Sequence, residues 1–169
     1  DPYLSRGLGD VYKRQRKLGF NVEKALVPVL TTLTDDWLTL LSHSNIDFTL
    51  AFRKLPEVLD DTSNELPELF KVSDEWPAWF NRWQQLLHKQ SVLPEEAAKQ
   101  MRAVNPAIIP RNHHVENALT TANEQCDFTP FKNLLIALEQ PFKTTHENNL
   151  YFDPASDEFT ATYQTFCGT

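Results

Sequence analysis

Several groups of residues have side chains of types that could do chemistry. His113, His114 and Glu116 form the densest set of metal-ligating types. A helical zinc site wants two histidines four residues apart on one face. Adjacent histidines diverge by roughly 100° at about 3.6 residues per turn, so this pair is expected to be surface or capping residues. Arg111 and Asn112 follow Pro110, and a guanidinium fork can clamp a carboxylate or phosphate. The better-supported expectation is structural, with Arg111 holding helix C-terminal carbonyls or an acid at the core edge. Asp60, Asp61 and Glu65 suggest a cation loop, but the alternating oxygen ligands and the glycine of a calcium loop are missing. A solvated connector is expected there. Cys167, third from the end of the chain, is a candidate redox thiol if its environment favours the thiolate. On residues alone an idle thiol is the simpler reading. Cys126 is expected to be a small packed residue. The chain has no Gly-rich phosphate loop, no nucleophile elbow and no kinase-type catalytic loop or Asp-Phe-Gly.

The elements that must position these residues read as helices. Leu26, Val29, Leu30 and Leu33 recur at helical spacing, as do Trp37, Leu40 and Leu41. Pro28 suits a first turn or cuts a longer helix, and Thr34 ahead of two aspartates is expected to cap a helix. Asp47 can cap the next helix, whose inward face is Phe48, Ala51, Phe52 and Leu55. The stretch 57–72 is an acidic, turn-rich connector with a small apolar cluster at Leu66, Leu69 and Phe70. Ser73 is expected to cap the most aromatic helix, with Trp76, Phe80, Trp83 and Leu87 on one stripe. Such a stripe can stack bases or sugars, but with only Arg82 and Lys89 nearby, core packing is expected, with Trp79 partly exposed. Pro94 opens a further helix, which ends near Val104 because Pro106 forces its predecessor out of the α region. Arg111 or Asn112 starts another, and Asp127 is expected to cap a last one with Phe131, Leu134, Leu135 and Leu138 inward. No strand is predicted. The expected fold is all-α, with a leader over 1–15, a helical domain over 16–142 and an extended tail over 143–169.

Composition bounds the function. A chain of 169 residues is long enough for a real core, and 41% hydrophobic residues with eleven Phe and four Trp supply it. A net charge of −7 argues against a nucleic-acid partner, which needs concentrated Lys and Arg. The leader's Arg6, Lys13 and Arg14, with the following Arg16 and Lys17, could grip a phosphate, but the segment reads as a disordered or artefactual leader without function. Two cysteines make no disulfide framework and favour a reducing compartment. No apolar run approaches the roughly 20 residues that span a bilayer, and no secretory signal is present. A cytoplasmic location is therefore expected.

Four motifs carry a resemblance. They are RKLGF at Arg16–Phe20, IDFTLAFRKL at Ile46–Leu55, MRAVNPAIIPRNHHVENAL at Met101–Leu119 and CDFTPFKNLLIAL at Cys126–Leu138. In this order and spacing the chain resembles the C-terminal part of the selenoprotein O family, also called YdiU. Cys167 sits where some members place selenocysteine and others cysteine. His113-His114 replace an aromatic–aliphatic pair usual in the family, and Cys126 stands where glycine is common. The resemblance implies a protein adenylyltransferase of kinase-like fold, which binds ATP with Mg²⁺ or Mn²⁺ and transfers AMP to protein hydroxyls. Its nucleotide, metal and catalytic residues lie upstream of the matching part, so no catalytic, cofactor or metal residue is carried onto this chain. Its partners would be the kinase-like domain of the same protein and the protein substrates. This portion alone is expected to be inactive, scaffolding the core and supplying Cys167 as a possible redox thiol. The alternative from another class is a stand-alone helical interaction module.

Overall fold

The structure, a computed structural model, describes residues 12–21, 26–60, 65–71, 73–143, 145 and 149–164. Every regular element among them is helical. The chain divides at Pro106 and Ala107 into two compact units. This boundary falls inside the segment that reads as one helical domain by sequence, 16–142. Asn105 takes the extended backbone (φ −103°, ψ 109°) that a following proline demands.

The first unit holds α1 (12–17), α2 (Val27–His43), α3 (Phe48–Leu59), α4 (Glu65–Leu69), α5 (Glu75–Lys89) and α6 (Pro94–Val104). Residues 12–15, assigned by composition to the leader, are helical, and Gln15 is fully buried. The expected cap at Thr34 is not a cap. The stripe Leu30, Leu33, Trp37, Leu40 and Leu41 is buried on both sides of it, so α2 runs through, and the Thr34 hydroxyl donates 2.7 Å to the Leu30 carbonyl. Pro28 lies in the first turn of α2. Asp47 caps α3 by accepting from the Leu50 N–H at 2.8 Å. For α5 the flanking residue is Asp74, while the Ser73 hydroxyl accepts from the Glu75 N–H at 3.3 Å.

The core of this unit is aromatic. Trp37 stacks on Trp79 at 4.4 Å between ring centroids and meets Phe52 edge-on at 6.0 Å, and Phe70 stacks on Trp76 at 4.7 Å. Trp79, expected to be partly exposed, is only 4% exposed, because its indole N–H reaches the Leu33 carbonyl at 2.9 Å and its ring fills the α2–α5 seam. Removing a ring of this kind from a core costs about 3–5 kcal/mol. On the other side of the unit α3 packs on α6, and Arg53 of α3 donates to the carbonyls of Arg102 and Asn105 at 3.0 and 3.1 Å, closing the α6 C-terminus.

The second unit pairs α7 (Asn112–Gln125) with α8 (Thr129–Leu138) and adds a 3₁₀ turn (Asn149–Tyr151) and α9 (Asp157–Thr162). Its buried cluster is small: Ala107, Ile108 and Ala137, with Leu138, Tyr151 and Phe152 against it. The Pro141 carbonyl accepts from the N–H groups of both Ala107 and Ile108, at 2.7 and 3.1 Å. Asp127 accepts from the Thr129 N–H at 2.8 Å at the start of α8. The inward face of α8 is Leu134 and Ala137, whereas Phe131 and Leu135, expected to point inward, stand exposed. The tail is more regular than its composition suggests: Ser156 caps α9 by accepting from the Phe159 N–H at 3.2 Å, with Asp157 and Glu158 in the first turn.

Candidate functional site

The segment RKLGF is the most heavily anchored irregular backbone in the first unit. Leu18 and Phe20 are fully buried. Gly19 has φ +83°, and a Cβ there would stand 3.0 Å from that of Ala97, so both the backbone angle and the space require glycine. Side chains donate to three of its carbonyls and to that of Asn21, which follows it. Asn105 donates to Lys17 at 2.8 Å, Trp83 to Leu18 at 2.9 Å, Gln100 to Phe20 at 3.0 Å and Gln90 to Asn21 at 2.8 Å. The Lys17 ammonium lies 5.4 and 5.5 Å from the ring centroids of Phe48 and Phe52, and burial lowers its pKa. This lysine belongs to a docked corner and not to a free basic arm.

The acidic connector resolves into ion pairs: Asp60 with Arg102 and Glu65 with Lys54. Asp61 lies outside the described residues, as do Cys167 and Arg6. Among the described residues no three His, Cys, Asp or Glu side chains converge as metal ligands. Cys126 is an exposed free thiol at the C-terminus of α7, not a packed residue, because its left-handed backbone (φ +54°) turns the chain out of the helix. An open groove of about 470 Å³ runs past Asp36, Thr39, Glu75, Trp79 and Arg82. Asp36 and Arg82 pair with each other across it.

The second unit gathers the histidine and arginine candidates. Arg111 is 8% exposed and donates to the Phe152 carbonyl at 3.1 Å, so its fork holds the tail's backbone, where helix C-terminal carbonyls or an acid at the core edge were the expected partners. His113 and His114 lie side by side in the first turn of α7, with ring centroids 3.9 Å apart and ring planes tilted by 42°. His113 meets Phe159 edge-on at 5.8 Å, and His114 meets Tyr151 edge-on at 5.0 Å. The pKa of each is lowered, first by burial, then for His113 by Arg111 and for His114 by His113. Glu116 accepts from the Tyr163 hydroxyl at 3.1 Å. The cluster therefore binds the tail of its own unit, and the partners Tyr151, Phe159 and Tyr163 went unnoticed in sequence. Their signal was a mostly polar stretch with aromatic residues at 151, 152, 159 and 163.

The comparisons with known proteins bear on what the chain is. The family model for the protein adenylyltransferase SelO matches residues 10–139. A protein nucleotidyltransferase YdiU of Chromobacterium violaceum is 37% identical over 172 residues, covering 98% of this chain and 35% of the relative. Relatives of the same description from Maridesulfovibrio salexigens and Syntrophotalea carbinolica are 35% and 37% identical, over 90% and 95% of this chain and 30% and 32% of their own length. No solved structure matches it. The chain spans about a third of the length of the curated relatives it matches. On the match across 10–139 and these identities, the chain belongs to the SelO protein adenylyltransferase family.

Proposed function

We propose that this chain is the C-terminal helical portion of a protein adenylyltransferase, which transfers AMP from ATP to hydroxyl side chains of other proteins with Mg²⁺ or Mn²⁺. The family match over residues 10–139 carries this reading. The helices of both units scaffold a kinase-like catalytic part of the same protein, and Cys167 is a redox thiol that reports to that part. In this reading the groups that hold ATP and metal belong to the part of the relatives that this chain does not span; the sequence here has no Gly-rich phosphate loop. Among the described residues no helix is long and apolar enough to cross a membrane; the site of action proposed is the cytoplasm.

The test compares the chain with the full-length protein. With ATP labelled on the α-phosphate and Mn²⁺, the full-length protein is expected to label protein hydroxyls. The chain alone is expected to bind no ATP in calorimetry. Micromolar ATP binding by the chain alone would move the nucleotide site into it, and failure of the full-length protein to transfer label would end the enzymatic reading. Cys167→Ser in the full-length protein is expected to abolish any response of the rate to reductant. An unchanged response reduces Cys167 to an idle thiol.

A further inference from the structure

The first turn of α7 places two imidazoles where protonation is opposed from several directions. Their rings touch at a tilt, with centroids 3.9 Å apart, and they occupy the positive end of the helix dipole, where added positive charge is unfavourable. Arg111, the residue before the helix, stands beside both. The pair is also the seat of the tail: Tyr151 packs on His114 and Phe159 on His113. His113 Nδ1 and His114 Nε2 are buried in this contact without a hydrogen-bond partner. An imidazole carrying a proton on each nitrogen must donate from both, so protonation would leave a buried N–H unmatched. We propose that His113 and His114 form a pH-sensitive latch that holds the 149–163 segment on α7 near neutral pH and releases it as the pair takes up protons.

Among the described residues the groups that face the pair are few. Arg111 on the α7 side opposes protonation of both rings, while Asp153 and the backbone of Leu150 on the tail side favour protonation of His114 and come after burial and His113 in weight. Tyr151 presents its ring to His114, and the Glu116–Tyr163 hydrogen bond ties the far end of the segment to α7. Burial and the neighbouring positive charge outweigh Asp153, and both histidines shift downward. The docked pair thus binds protons less readily than the released pair. Docking is at full strength above the ordinary histidine value of about 6.5 and weakens as the pH falls below it. The loss is up to about tenfold in the docking equilibrium per pH unit per imidazole, until the docked pair itself titrates. The latch is independent of the adenylyltransferase reading.

Hydrogen exchange read by mass spectrometry on the whole chain tests it, at about pH 7.5 and 5.5, normalised to peptides from α3 and α6. Exchange in peptides covering 149–163 is expected to accelerate about fivefold or more relative to those references at the lower pH. With His113→Phe and His114→Leu together, the acceleration is expected to vanish. If the wild-type ratio does not move with pH, or if the double variant keeps the full acceleration, the latch is wrong. Should the double variant already exchange fast in α7 at pH 7.5, the single His114→Leu decides. Loss of at least half the pH effect upholds the latch, and retention of all of it overturns it.

Discussion

Cys126 shows what one residue does to the end of a helix. Its φ of +54° lies in the left-handed region, which costs a residue with a Cβ roughly 1 kcal/mol or more and glycine almost nothing. The thiol is exposed, so its side chain returns nothing for that strain. Cys126→Gly is therefore expected to stabilise the second unit by about 0.5–1 kcal/mol, read as a raised urea midpoint with an unchanged slope. A fall in the midpoint would mean that the thiol makes contacts the fold relies on. Gly19 is the opposite case, because its left-handed backbone already carries the residue that suits it.

At the scale of the element, the docked corner around 17–21 decides how α1 joins the helices behind it. Asn105 and Gln90 both donate to that backbone at 2.8 Å, but Asn105 is 1% exposed and Gln90 sits at the surface. Leaving a buried carbonyl without its donor costs about 1–3 kcal/mol, whereas water replaces a donor at the surface. Asn105→Ala is expected to destabilise the first unit by about 1–3 kcal/mol and Gln90→Ala by about 0.5 kcal/mol or less, measured by urea unfolding followed through tryptophan fluorescence. Equal losses would show that the hydrogen bond to Lys17 is not what anchors the corner. The helices themselves were largely legible. Asp47, Pro94 and the Pro106 break act locally, through a single cap or a fixed φ, and they lie where their chemistry places them. Thr34 misled because a hydroxyl followed by acids reads as a cap only if the apolar stripe starts after it, and here the stripe runs through. The Ser156-Asp157-Glu158 start of α9 carried the same kind of signal without a following apolar run to draw notice.

For the whole molecule, the second unit leaves much apolar surface in water. Phe128, Phe131, Leu135 and Ile136 are 55%, 39%, 48% and 64% exposed. Exposed apolar side chains offer an apolar probe somewhere to bind. The chain alone is expected to bind an apolar dye such as anilinonaphthalene sulfonate in its folded state, with Ile136→Lys reducing the signal by about half. No fluorescence gain at native helicity would show these rings to be covered. Amino-acid order alone determined the all-α class, most helix limits and the family resemblance, because helical period, proline and caps act over a few residues. It also placed the aromatic stripe of α5 in a core. Only the tertiary structure decided that Arg111 and the histidine pair hold the tail, that Lys17 is docked and not a free arm, and that Phe131 faces outward. Those outcomes depend on which surfaces meet across dozens of residues, and local spacing does not encode them.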